Sequence, residues 1–80
     1  MKAFPIPAEF PPGAKFLLGG GDPVVDIPGE GLFGVNADGM LVPFPAKEFA
    51  RAAPPSELGE AGWRERADRL VARLAARAAA

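Results

Sequence analysis

The chain has 80 residues and a net charge of −1, with no His, Cys, Tyr, Thr or Gln, one Ser (Ser56) and one Asn (Asn36). Those absences exclude disulfides, thiol or imidazole chemistry and the soft metal sites built on Cys and His. They also leave carboxylates, Lys, Arg and Ser56 as the only groups for catalysis, so the expectation is a protein that is not an enzyme and carries no metal or cofactor.

Sixteen of the apolar residues are alanine, and Gly and Pro contribute ten each. The remaining larger side chains suffice for one small core, of a size that rarely supplies more than ~3–5 kcal/mol of stability. Charge is uneven. Residues 1–50 carry −3, with Lys as the base, and residues 51–80 carry +2, all of it from Arg. The near-zero total gives no strong field toward nucleic acid or anionic membrane. No targeting segment or membrane-spanning run is legible, and the lack of Cys fits a cytoplasmic location. The Ala/Arg bias suits a GC-rich genome, and the expectation is a small bacterial or prophage-type protein.

Residues 1–13 read as an extended proline-rich arm, because Phe4-Pro5-Ile6-Pro7 and Phe10-Pro11-Pro12 force extended geometry. Phe4, Ile6 and Phe10 are its candidates for filling gaps over the rest of the fold. No two prolines stand three apart, which argues against a proline-motif ligand. Residues 14–80 read as a single small α+β domain, with a β-meander at 14–45 and a helical part at 46–80.

The meander's predicted strands are Lys15–Leu18, Val24–Ile27, Leu32–Asn36 and Met40–Phe44, separated by Gly19–Pro23, Pro28–Gly31 and Asn36–Gly39. The last turn is the sharpest local signal. Asn first and Gly last fit a type I turn closed by a left-handed residue, which sets Val35 against Leu41 and Gly34 against Val42. Gly34 inside a strand marks a bulge or a close approach. Both faces of this hairpin are then apolar: Phe33, Val35 and Leu41 on one, Leu32, Met40, Val42 and Phe44 on the other. A half-solvated strand should alternate apolar and polar, and one helix covers one face. The other face then needs the N-terminal arm, a second sheet layer or another molecule, and this is the strongest hint of a partner in the sequence.

Pro45 opens a short helix over Ala46–Ala53 carrying Phe49, ended by Pro54 and Pro55. Ser56 suits an N-cap before a longer amphipathic helix, with Gly59 and Gly62 pushing the regular start toward Glu60. Trp63, Ala67, Leu70, Val71, Leu74 and Ala78 share one face of it. The expected core is Phe16, Leu18, Val25, Ile27, Leu32, Val42, Phe44, Trp63, Leu70, Val71 and Leu74.

Four patterns invite a chemical reading. Gly29-Glu30-Gly31-Leu32-Phe33-Gly34 matches a phosphate-loop spacing, but a hairpin follows where that motif needs a helix. Asp22, Asp26 and Glu30 recur every four residues without the spacing of a calcium loop. Ser56 lacks a base unless Lys15 or Lys47 serves, and a helix cap explains it more simply. Arg66, Arg69, Arg73 and Arg77 fall within an arc of about 80° on the last helix, at 100° per residue. They are candidate contacts for an anion or an acidic partner; no aromatic residue joins them for base stacking.

The expected function is that of a non-catalytic interaction or assembly module. It binds itself or another protein through an apolar sheet face, with Phe33, Val35, Leu41 and Phe49 as the candidate interface. The alternative is anion or nucleic-acid binding through the arginine stripe, with nucleic acid the less favoured partner. No small-molecule substrate and no membrane partner is inferred.

Overall fold

The computed structural model describes residues 3–51 and 56–79. In chain order the elements are β1 (Phe4–Pro5), β2 (Lys15–Gly19), β3 (Asp22–Ile27), β4 (Gly31–Val35), β5 (Met40–Pro43), α1 (Ala46–Arg51), β6 (Ser56–Glu57) and α2 (Glu60–Ala79). The predicted end of the short helix at Ala53, and the prolines after it, lie outside the described residues. An antiparallel sheet with a C-terminal helix makes the fold α+β. The sheet runs β1-β5-β4-β3-β2-β6 with every pairing antiparallel. It has six strands where the sequence predicts three or four. The two extra ones are two-residue pairings at the edges, formed by Phe4–Pro5 against Leu41 and Met40 and by Ser56–Glu57 against Leu18 and Leu17. Segments this short carry no strand periodicity to read.

The central meander follows its turn chemistry. Gly34 pairs with Val42 and Val35 with Leu41, in the predicted register. The Asn36–Gly39 turn closes as expected. The amides of Asp38 and Met40 both donate to Asn36 Oδ1 at 3.0 Å, and Gly39 takes φ 75°. The turn between β2 and β3 is tighter than predicted. Gly20 and Gly21 alone make it, at φ 63° and 89°, and Asp22 and Pro23 belong to the strand. A two-residue loop with both centres at positive φ matches the twist of a hairpin.

Pro23 then shapes the sheet. Alternation along the ladder turns its nitrogen toward β4, and that nitrogen has no proton to donate. Pairing of β3 with β4 ends at Val25 and Phe33, two residues short of Pro23. Where the strands part, a cavity of about 290 Å³ lies among Pro23, Val35, Val42, Phe44 and Leu70.

The core lies between the sheet and α2. Val25, Ile27, Phe33, Leu41, Trp63 and Ala67 are buried together, with Phe4, Ile6, Phe10 and Phe16 packed against them. Phe10, Phe16 and Trp63 form an aromatic trio with ring centroids 5.1–5.6 Å apart, and Phe4 meets Phe33 edge-on at 5.1 Å. Full burial of such a ring, as at Phe33 and Trp63, contributes about 1.5–3 kcal/mol.

This reverses the expected choice of face. Phe33 and Leu41, read as a candidate interface, are in the core, and Val35 packs against it. Leu32, Val42 and Phe44, read as core, stand on the opposite face and are half-buried. Both faces of the hairpin are apolar, so the local pattern does not choose between them. The aromatic rings of the arm, β2 and α2 gather on the Phe33 side and fix the choice.

Helix α2 starts at Glu60, where Gly59 and Gly62 place it, but Ser56 does not cap it. Ser56 lies in β6, and the first helical amide bond runs from Trp63 to the carbonyl of Gly59 at 2.9 Å. Trp63, Ala67 and Leu70 are buried, Val71 and Leu74 are half-buried, and Ala78 is exposed. No helix among the described residues is long and apolar enough to cross a membrane.

Candidate functional site

Two surfaces collect the residues singled out by the sequence. The first is the sheet face opposite α2. Strand alternation puts Leu17, Val24, Gly34, Met40 and Val42 there, since Phe16, Val25, Phe33 and Leu41 face the core. Part of this face is covered from within the chain. A Cβ built on Gly19 would stand 2.9 Å from the Phe49 ring and 3.4 Å from Val24, and one on Gly34 would stand 3.0 Å from the Phe44 ring. Phe44 and Phe49 meet edge-on with centroids 6.3 Å apart. The two strand glycines are thus the floor for two aromatic rings, which fill the space a side chain would occupy. The close approach expected at Gly34 is that of a ring. Val24 is fully buried beneath this lid. Beyond the lid Leu17, Leu32, Met40 and Val42 remain half-buried.

Of the four candidate interface residues, the structure therefore sets Phe33, Val35 and Leu41 on the α2 side and Phe49 alone on this one. The half-buried Leu32, Met40 and Val42 come from the opposite parity of the strands that carry Phe33, Val35 and Leu41. The two-sided pattern signalled such a surface, and the choice between parities needed the position of α2.

The second surface is on α2. Arg66, Arg69 and Arg73 line a cavity of about 170 Å³ together with Leu70, Gly21 and Pro23. Arg69 pairs with Glu65, and Arg73 reaches Asp22 at 3.5 Å. All four of these side chains are more than half exposed, so the pairs themselves contribute little to stability. Arg77 is exposed one turn further on and does not line the cavity. Three of the four arginines of the stripe are thus brought to one place, beside the Gly20-Gly21 turn.

Arg64, which the stripe does not include, does something different. It pairs with Glu60 at 2.9 Å, donates to the carbonyls of Pro7 and Ala8 at 2.8 and 3.1 Å, and lies over the Phe10 ring at 5.1 Å. A cleft of about 370 Å³ opens beside it, between Pro5 and Ile6 of the arm and Trp63, Ala67 and Asp68 of α2. No pattern in the sequence signals that this guanidinium holds the arm.

Gly29 adopts positive φ in the turn before β4 and Gly31 at the first residue of β4, and a strand pair follows them. Ser56 is exposed at the sheet edge. Among the described residues no three acidic side chains converge to hold a metal ion. Comparison of the chain with protein-family models, curated proteins and solved structures found no match.

Proposed function

We propose that this protein is a non-catalytic interaction module that docks through the sheet face opposite α2, with a second copy of itself as the first partner. One observation carries the reading. Leu32, Met40 and Val42 stand on the adjacent strands β4 and β5 of that face, with Leu17 apart on β2, while α1 and the Phe44–Phe49 lid cover the part above Gly19, Val24 and Gly34. Apolar side chains on the adjacent strands β4 and β5 gain roughly 25 cal/mol for each Å² removed from water. A contiguous apolar patch of this kind marks an interaction surface. Phe49, at the rim of the patch, serves as an aromatic anchor.

Light scattering on a sizing column, at two protein concentrations, tests the reading. The expected result is a dimer that strengthens with concentration and returns to monomer in Leu32→Glu with Val42→Glu. A wild-type chain that stays monomeric at millimolar concentration overturns self-association.

A further inference from the structure

We propose that Arg66, Arg69 and Arg73, with the Gly20-Gly21 turn, form a binding site for a phosphate group. Their spacing of three and four residues puts the three guanidinium groups on one side of α2. The packing of that helix over the β2–β3 hairpin makes an open surface pocket beside them, with Leu70 and Pro23 completing its lining. Three cations against the two carboxylates of Glu65 and Asp22 leave one net positive charge at the cavity. Among the described residues Arg66 has no carboxylate within ion-pair distance, so its donors are available to a ligand.

Phosphate fits this arrangement better than a second carboxylate. Guanidinium forks match tetrahedral oxyanions with paired donors, and three forks ask for more than two acceptor oxygens. Asp22 already offers a carboxylate to Arg73, but at 3.5 Å, well beyond the ~2.8 Å of a good charge-assisted bond. An oxyanion of higher charge displaces it. Among the described residues no aromatic ring lines the cavity to stack a base, which favours an isolated phosphate group over a nucleic-acid strand.

The test is a titration of the isotope-labelled full chain with inorganic phosphate at constant ionic strength, using chloride as the reference anion. The Gly21 amide and the arginine Nε–H groups are followed by NMR. Saturable shifts at Gly21 and Arg66 with phosphate and not with chloride are expected. Arg66→Gln should weaken binding about tenfold or more, since one charged hydrogen-bonding group is lost. Asp22→Asn should tighten it severalfold by removing the competing carboxylate, and Arg77→Gln should leave it unchanged. A parallel titration with phenyl phosphate separates the two sources of the group: tighter binding assigns a phosphate monoester, equal binding assigns the free ion. Shifts that fail to saturate, that chloride reproduces, or that survive Arg66→Gln undiminished overturn the proposal. Trp63 emission reports whether each variant keeps its fold.

Discussion

The indole Nε1–H of Trp63 donates to the backbone carbonyl of Val24 at 3.1 Å, joining α2 to the middle of the sheet across 39 residues of sequence. Both partners are fully buried. The bond satisfies the one polar atom of the largest side chain in the core and fixes the helix in rotation and in height over β3. Trp63→Phe removes the donor and leaves part of its space empty, and is expected to cost about 2 kcal/mol. Urea unfolding followed by circular dichroism measures this, since the variant loses the chain's single tryptophan signal. A loss under half a kcal/mol would show that the bond does not anchor the helix.

Gly19 and Gly34 are expected to resist any side chain. Neither adopts a positive φ, so the obstacle is space and not backbone strain. Gly19→Ala meets two atoms of the Phe49 ring and a Val24 methyl, whereas Gly34→Ala meets the Phe44 ring alone within 3.4 Å. Overpacking of this kind costs about 1–3 kcal/mol, with Gly19 the worse. Combining Gly19→Ala with Phe49→Leu should recover part of the loss, and a coupling of about 1 kcal/mol in the double-mutant cycle is the expected reading. Strict additivity would mean that the ring does not sit on Gly19.

Arg64→Ala should loosen the arm without unfolding the sheet. It removes both bonds to the Pro7 and Ala8 carbonyls and the stacking on Phe10. Hydrogen exchange at the Phe4 and Ile6 amides should accelerate markedly, while Val25 and Phe33 change little. Arg64→Lys should not restore protection, because an ammonium cannot span two carbonyls and a carboxylate with a planar fork.

At the β4–β5 turn, Asn36→Ala leaves the Asp38 and Met40 amides without their side-chain acceptor. The expected cost is about 1 kcal/mol. Asn36→Asp keeps an acceptor at the same place and should cost less than half as much. Thermal melts of the two variants side by side check the order, and equal losses would show that the amide oxygen is not the relevant atom.

What could be read from the chain was set by short-range chemistry. Asn36 and Gly39 define a turn whatever surrounds them, and that turn fixes the register of β4 on β5. The 3.6-residue rhythm of Trp63, Ala67 and Leu70 defines a buried helix face in the same way. The arginine spacing was legible too, as three residues on one side of a helix. The tertiary structure decided which face of the hairpin meets that helix. Phe33 with Leu41 and Leu32 with Val42 are equally apolar, and only the convergence of Phe4, Phe10, Phe16 and Trp63 on one side separates them. It also decided that Ser56 would extend a sheet edge rather than cap a helix, because β2 offered unpaired backbone groups there. The arginines became neighbours of the Gly20-Gly21 turn for the same reason. Side chains far apart in sequence meet only after the core has fixed where α2 lies, and no local pattern carries that distance.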